Sequence, residues 1–121
     1  MLLGLRTVIY YVADIDQAKG WYNRALGTKP YFDEPFYVGY NVGGYELGLH
    51  PGKAGSTEKE CGVVSYWGVA NIEETLKHLL VIGANPHDEI QDVGGGIRVA
   101  TVIDPFGNIL GIIENPNFSL P

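Results

Sequence analysis

The sequence has little cysteine and little positive charge. Cys61 is the only cysteine, so an intrachain disulfide bond is excluded, which fits a reducing cytoplasm. Eight lysines and arginines stand against fourteen aspartates and glutamates, and the formal net charge is -6. The basic residues form no cluster along the chain. Because nucleic acids and membrane surfaces are bound by clustered positive charge, we expect neither as a partner.

Long apolar runs are also missing. Arg6 interrupts the apolar start of the chain, and no basic segment precedes it. We therefore expect neither a signal peptide nor a membrane-spanning segment. The 121 residues are 45% hydrophobic and 18% charged, which is typical of one globular domain over residues 1–121.

Side-chain periodicity predicts one helix and four strands in the first half of the chain. Asp14 is a candidate N-cap because its carboxylate can accept a hydrogen bond from the first turn of a helix. Gly43 and Gly44 are typical of a tight hairpin turn, in which both central residues adopt positive φ. The predicted elements are a strand over 5–12, a helix over 15–26, and strands over 30–32, 36–42 and 45–50.

The second half repeats this order. Asn71 is the candidate N-cap, and the sequence from Asp104 to Gly107 (DPFG) is typical of a β-turn. The predicted elements are a strand over 62–69, a helix over 72–80, and strands over 89–93, 97–103 and 108–114. A polar stretch over 51–60 is predicted to be the loop between the halves.

The two halves also match in sequence. Residues 12–16 (VADID) resemble residues 69–73 (VANIE), and residues 44–49 (GYELGL) resemble residues 107–112 (GNILGI). The matches occur in the same order in both halves, which indicates an internal duplication. The chain is therefore predicted to hold two βαβββ modules, about residues 3–50 and 62–115.

Two motifs carry a resemblance to a known family. The first is Val-Ala-Asp-Ile at residues 12–15, before a helix that bears Trp21-Tyr22 and ends Ala-Leu-Gly at residue 27. The second is the DPFGN sequence at residues 104–108, before a final apolar strand. Over residues 3–115 the chain resembles the vicinal oxygen chelate superfamily, which includes glyoxalase I, extradiol dioxygenases, methylmalonyl-CoA epimerase, fosfomycin-resistance enzymes and bleomycin-binding proteins. The resemblance implies an α+β fold of two tandem βαβββ modules, with sheets curled around one pocket and helices on the outer face. It also implies a homodimer.

The resemblance further implies where the superfamily's metal enzymes place their ligands. These positions are Thr7, Val64, Gly111 and either Gly48 or, with a shift of two residues, Glu46. Valine and glycine side chains donate nothing to a metal, and a catalytic divalent ion normally needs about three protein ligands. We therefore expect no metal and no other cofactor. One alternative is that Glu46 and His50, on the same predicted face, hold a metal together.

Strand alternation on this fold predicts which residues line the pocket. The set is largely apolar and aromatic with few polar groups, which suits a small-molecule ligand. The predicted ligand-binding residues are Thr7, Ile9, Tyr11, Glu46, Gly48, Val64, Tyr66, Arg98 and Gly111.

The charged candidates each allow two interpretations. Glu46 is either a general base or a rim carboxylate that is solvated or paired with Arg98 or Lys29. His50 is either an acid–base group or a solvated strand terminus. Arg98 either clamps a ligand carboxylate or faces solvent.

Three function hypotheses follow. The first is a metal-free protein that binds an aromatic or apolar small molecule. The second is a lyase or isomerase that uses Glu46 as a catalytic residue, with or without His50 and with or without metal. The third is an interaction module. Whether the chain is an enzyme stays open at this stage.

Overall fold

The computed structural model describes residues 2–52 and 63–119. These residues form two compact units. The N-terminal unit holds residues 7–52 with 63–64, and the C-terminal unit holds residues 2–6 with 65–119. Most of the predicted loop over 51–60, from residue 53 on, and Cys61 lie outside the described residues. Within the described ranges, no helix is both long enough and apolar enough to cross a membrane.

The N-terminal unit is a four-stranded sheet with one helix. Its strands lie in the order β2-β3-β4-β1. The first strand is parallel to β4, whereas the pairs β2–β3 and β3–β4 are antiparallel. The elements are β1 (Gly4–Val12, of which residues 7–12 pair with β4), α1 (Ile15–Leu26), β2 (Phe32–Glu34), β3 (Tyr37–Val42) and β4 (Tyr45–Pro51).

Helix α1 covers one face of this sheet. Asp14 caps it by accepting a hydrogen bond from the amide of Gln17 at 3.0 Å. The apolar side of the helix packs on buried Val38, Tyr40 and Leu49. The Tyr40 hydroxyl donates to the side-chain oxygen of Asn23 at 2.7 Å, which ties β3 to the helix. Burial, and then the charge of Asp33, raise the pKa of Tyr40, so this phenol stays a donor.

The C-terminal unit holds the remaining strands and its own helix. Strand β5 is parallel to β9, and β8 is antiparallel to β9. Two short strands, β6 and β7, pair with different parts of β8. The elements are β5 (Val63–Gly68), α2 (Ile72–Val81), β6 (Asn85–Pro86), β7 (Gln91–Asp92), β8 (Arg98–Ile103) and β9 (Ile109–Glu114).

Helix α2 packs on one face of β8 and β9. Asn71 caps it through the amide of Glu74 at 3.0 Å. The core between helix and strands contains Val69, Ile72, Leu79, Ala100, Val102 and Ile112, all buried. In each unit the helix therefore covers one sheet face and leaves the other face to different side chains. The predicted α+β class, with a helix against one sheet face of each half, is confirmed.

Two predicted strands are misplaced. The strand predicted over 30–32 lies instead at Phe32–Glu34, because Pro35 and Phe36 form the turn to β3. The strand predicted over 89–93 is present only as the two-residue strand β7 (Gln91–Asp92), and β6 (Asn85–Pro86) was not predicted. Between β6 and β7, Asp88 and Thr101 exchange two hydrogen bonds: the Thr101 amide donates to the Asp88 carbonyl at 3.1 Å, and the Asp88 amide donates to the Thr101 hydroxyl at 3.0 Å. A side chain thus takes the place of one ladder bond between β6 and β7.

Candidate functional site

The site candidates of the N-terminal unit lie on the sheet face opposite α1. Parallel pairing of β1 with β4 sets Thr7 beside Glu46, Ile9 beside Gly48 and Tyr11 beside His50. Residues paired in register share a face, so these six side-chain positions form two adjacent rows. The alternate residues of the same strands, Leu47 and Leu49 among them, pack toward α1. The structure therefore brings these six candidates together.

Glu46 is held by two tyrosines that the sequence analysis did not identify. The hydroxyl of Tyr31 donates to Oε1 of Glu46, and the hydroxyl of Tyr37 donates to Oε2. Each carboxylate oxygen therefore accepts one phenolic hydrogen, and hydrogen bonds to an ionised acceptor are stronger than neutral ones. Burial, the hydrogen bond to Glu46 and the charge of Glu46 raise the pKa of Tyr31 far above its ordinary value. Tyr31 therefore remains a neutral donor over the physiological range of pH.

Glycines make room for these tyrosine rings. Gly48 lies beneath the ring of Tyr37, and a Cβ at this position would be 2.6 Å from the ring carbon Cζ. Gly39 pairs with Gly48 across the β3–β4 ladder. A Cβ on Gly39 would lie 3.2 Å from a ring carbon of both Tyr31 and Tyr37. The two glycines thus form a flat platform on which both rings rest.

More aromatic rings adjoin this platform. The ring centroid of Phe32 is 6.0 Å from that of Tyr37 and 6.0 Å from that of Phe36. Tyr31 and Phe36 are 63% and 62% exposed, so their rings are open to an incoming molecule. We call Tyr31, Phe32, Phe36 and Tyr37 the aromatic rim. Four aromatic residues among residues 31–37, facing two glycines in paired strands, were the sequence signal for it.

His50 lies beyond the aromatic rim along β4. Its ring centroid is 4.9 Å from that of Tyr11, and Nδ1 is 2.8 Å from the carbonyl oxygen of Pro51. A carbonyl only accepts hydrogen bonds, so Nδ1 is the donor in this contact. Glu46 and His50 are four residues apart in one strand, a Cα separation of about 13 Å. The alternative in which these two side chains hold a metal together stays a prediction.

The C-terminal unit repeats the pairing of a tyrosine with a glycine. Tyr66 on β5 is in register with Gly111 on β9, and a Cβ at Gly111 would lie 2.5 Å from Cδ1 of the Tyr66 ring. Thr101 follows on the other side of Gly111, and its hydroxyl is 2.8 Å from Nδ1 of His87. In the internal repeat, Gly48 corresponds to Gly111, but Tyr37 and Tyr66 come from different strands. The two tyrosine rings therefore cover equivalent glycines from strands that are not equivalent in the repeat.

Arg98 lies on the other face of this unit, and its placement among the pocket residues is corrected. Its guanidinium contacts Glu73 of α2 at 2.5 Å and 3.0 Å, and Glu114 of β9 at 2.8 Å. The Glu114 carboxylate also accepts the amide of Ile72 at 3.0 Å. Hydrogen bonding to Arg98 lowers the pKa of Glu73, and the bond to Glu73 raises the pKa of Arg98. Arg98 therefore joins α2 to the sheet and does not face a ligand on the Tyr66 side.

The residues at the implied metal positions do not fit a metal. Val64 is buried at 3% exposure and has no donor atom, and Gly48 and Gly111 each lie under a tyrosine ring. Thr7 and Glu46 leave one hydroxyl and one carboxylate, and that carboxylate already accepts two phenols. Over residues 2–52 and 63–119, no three histidine, cysteine or acidic side chains are grouped as metal ligands would be.

Comparisons with known proteins agree with this fold. The family model described as Glyoxalase/Bleomycin resistance protein/Dioxygenase superfamily matches residues 4–112. No curated protein matches the chain. Among solved structures, a hypothetical protein from Bacillus halodurans C-125 is 18% identical with a TM-score of 0.77, and 97% of each chain is covered. Methylmalonyl-CoA epimerase from Mycobacterium tuberculosis is 20% identical with a TM-score of 0.75, covering 94% of this chain and 89% of that chain.

A further methylmalonyl-CoA epimerase, solved in complex with methylmalonyl-CoA and NH4+, is 17% identical with a TM-score of 0.75 and full coverage of both chains. At such identities the solved structures show the fold alone. The family model covers most of the chain, and its residues include both predicted motifs. The chain belongs to the glyoxalase/bleomycin resistance protein/dioxygenase superfamily.

Proposed function

We propose that this protein binds a small molecule without a divalent metal, on the sheet face that carries Glu46. One observation carries the proposal: the ring of Tyr37 lies over Gly48, and the ring of Tyr66 lies over Gly111. Where the superfamily's metal enzymes present ligands, this chain presents aromatic surface. Aromatic and apolar walls with a few fixed polar groups are characteristic of small-molecule sites.

Support for the location comes from the contrast between the two faces of the N-terminal sheet. The α1 face is closed by packing against Val38, Tyr40 and Leu49. The opposite face presents a fixed carboxylate, an imidazole and exposed rings of the aromatic rim. A ligand on this face gains apolar contact from the rings and one charged partner in Glu46.

The alternative, a lyase or isomerase that uses Glu46, receives less support. A general base must reach the proton that it abstracts, and both oxygens of Glu46 already accept phenolic hydrogens. The second predicted catalytic group, His50, lies four residues further along β4, a Cα separation of about 13 Å.

The experiment is a screen of aromatic fragments by thermal melting in EDTA, followed by mapping of each hit through chemical-shift changes. We expect hits that perturb Tyr31, Tyr37 and Tyr11, and that are weakened in Tyr37→Leu. The matched control is Tyr45→Leu, which alters an exposed tyrosine at the start of β4. Loss of all binding in EDTA would overturn the proposal.

A second surface provides the competing outcome of the same screen. A groove of about 400 Å³ runs along α1 and is lined by residues that include Asp14, Gln17 and Trp21. Trp21 is 55% exposed there. Hits that map to this groove, and not to the Glu46 face, would show that the ligand site is on the α1 side of the sheet. The proposed location would then be wrong.

Family membership also leads us to propose that two copies of the chain associate. Sedimentation equilibrium tests this, with a homodimer as the expected result and a monomer at every concentration as the contrary one.

A further inference from the structure

We infer that the Glu46 face binds an organic cation: an ammonium or related group carried on an aromatic or apolar body. This inference rests on the proposed function and specifies the chemical class of its ligand. It is carried by the juxtaposition of one carboxylate, which forms no ion pair with a lysine or arginine of residues 2–52 and 63–119, and a group of exposed aromatic rings.

The charge of Glu46 is not balanced by any lysine or arginine of the described ranges. Its partners are the hydroxyls of Tyr31 and Tyr37, which orient the carboxylate but bring no positive charge. The two basic residues that the sequence offered do not supply one. Arg98 is bonded to Glu73 and Glu114, and Lys29 forms no ion pair with Glu46. A cationic ligand group would provide the missing countercharge.

The aromatic rim adds a second kind of attraction for a cation. A ring face attracts a positive group placed within about 6 Å of its centroid, and quaternary ammonium ligands are recognised in this way. The centroids of Phe32 and Phe36 are 6.0 Å apart, as are those of Phe32 and Tyr37. Tilted rings at these separations pack against one another, so we place the cation over the exposed surface of the ring cluster and not between the rings. An ammonium group beside Glu46 would therefore contact a carboxylate and aromatic faces together.

The same features disfavour other ligand classes. An anionic group would meet the Glu46 charge and a chain with a net charge of -6. A neutral apolar molecule would gain ring contact but would leave the carboxylate without a partner charge. A divalent metal would find one carboxylate, which is fewer than the three ligands that a catalytic site normally has.

The test uses three probes of nearly equal shape that differ in charge. They are benzyltrimethylammonium as the cation, 2-methyl-1-phenylpropan-2-ol as the neutral probe and 2,2-dimethyl-3-phenylpropanoate as the anion. Binding is measured by isothermal titration calorimetry in EDTA on the whole chain. We expect the cation to bind at least tenfold more tightly than the neutral probe, and the anion to bind more weakly than both.

Variants separate the two attractions. Glu46→Gln should lower the affinity for the cation about tenfold and leave that for the neutral probe unchanged. Phe36→Leu should lower the affinity for the cation. It should not disturb the fold, because the Phe36 side chain is 62% exposed. Glu89→Gln is the matched control, since it removes one negative charge at an exposed position of the C-terminal unit and should change neither affinity.

The outcomes distinguish this inference from the proposed function. Equal or tighter binding of the neutral or anionic probe would overturn the inference and leave the proposed function standing. Cation binding that is unchanged in Glu46→Gln would also overturn it. If none of the three probes binds while other fragments do, the cation class is wrong. If no fragment binds in EDTA, the proposed function fails and the inference fails with it.

Discussion

The ring of Tyr37 lies over Gly48, and its hydroxyl donates to Glu46 two residues earlier in the same strand. One side chain thus covers the position where the superfamily resemblance implies a metal ligand and also fixes the nearest carboxylate. Tyr66 covers Gly111 in the C-terminal unit in a comparable way. Both glycines are required by the rings above them, because any Cβ there would collide with aromatic carbon.

Methyl groups at the two covered glycines should therefore destabilise the fold. Gly111→Ala would put a Cβ 2.5 Å from Cδ1 of Tyr66, and Gly48→Ala would put one 2.6 Å from Cζ of Tyr37. Overpacking of this kind typically costs about 1–3 kcal/mol. We expect the free energy of unfolding in urea to fall by that amount in each variant.

The matched control for these variants is Gly20→Ala in the middle of α1. A Cβ there would meet nothing closer than Nη1 of Arg24 at 3.8 Å. Alanine in a helix is favoured over glycine by roughly 0.5–1 kcal/mol, so this variant should gain stability. If Gly111→Ala were as stable as Gly20→Ala, the close contact between Tyr66 and Gly111 would be wrong.

The contact with Tyr66 can be tested by a double-mutant cycle. Tyr66→Ala removes the ring that a methyl at Gly111 would strike. The loss of unfolding free energy caused by Gly111→Ala should therefore be smaller in the Tyr66→Ala background. Substitutions at residues in contact have non-additive effects on stability. Equal costs in both backgrounds, measured as free energies of unfolding, would contradict the contact.

The link between Tyr31 and Glu46 predicts a loss of stability at alkaline pH. The pKa of Tyr31 is raised in the folded state from its ordinary value of 10.0 by burial, by the hydrogen bond to Glu46 and by the charge of Glu46. A raised pKa favours the neutral phenol, so its stabilisation is complete below about pH 10 and is lost as the pH rises toward the folded pKa. Thermal melting in a pH series from neutral to strongly alkaline measures this loss.

Glu46→Gln provides the comparison for the alkaline series. Glutamine removes the charge that acts on Tyr31, so the phenol should ionise at lower pH in the folded variant. Ultraviolet absorbance of tyrosinate reports this ionisation directly. If the absorbance titrations of wild type and Glu46→Gln coincided, the hydrogen bond from Tyr31 to Glu46 would be contradicted.

Much of the fold could be predicted because its local signals agree with its packing. Helix α1 begins after Asp14 and ends at Leu26 as predicted, since a cap, an apolar stripe and a terminal glycine all point to the same boundaries. The hairpin at Gly43 and Gly44 also occurs as predicted, with φ of 63° and 93°. The two short strands β6 and β7 could not be told apart in the sequence, because the segment between them is held to β8 by hydrogen bonds between Asp88 and the distant Thr101.

The candidate site was predictable only in part. Alternation placed Thr7, Ile9 and Tyr11 on the face of Glu46, since the period of a strand fixes its faces. Strand alternation gave no information on Tyr31, because Tyr31 lies just before β2 and is not part of a strand. Its hydroxyl nevertheless donates to Glu46. Arg98 was misplaced because its partners, Glu73 and Glu114, are 25 and 16 residues away in sequence.

Arg98 should contribute to stability and not to ligand binding. The pKa of Glu73 is lowered from its ordinary value of 4.5 first by the hydrogen bond from Arg98. A lowered carboxyl pKa stabilises the fold above the ordinary value, and this stabilisation is lost as the pH falls through the folded pKa. We therefore expect the Tm of wild type to fall more steeply below pH 4.5 than the Tm of Arg98→Gln.

The control for Arg98→Gln is Arg24→Gln, which removes an arginine from the last turn of α1. It should leave the acid dependence of Tm as in wild type. The affinity for benzyltrimethylammonium should be the same in wild type, Arg98→Gln and Arg24→Gln. A loss of probe affinity in Arg98→Gln alone would show that this residue acts at the ligand site after all.

The most direct test of metal-free binding is the melting of EDTA-stripped protein with Ni²⁺, Co²⁺, Mn²⁺, Fe²⁺ and Zn²⁺ added separately, and with benzyltrimethylammonium added alone. A ligand at 100 times its Kd stabilises the folded state by about 2.7 kcal/mol, which raises the Tm of a domain of this size by several degrees. We predict a saturable rise with the organic cation and none with any metal. A saturable rise with one metal that disappears in Glu46→Gln would contradict the account.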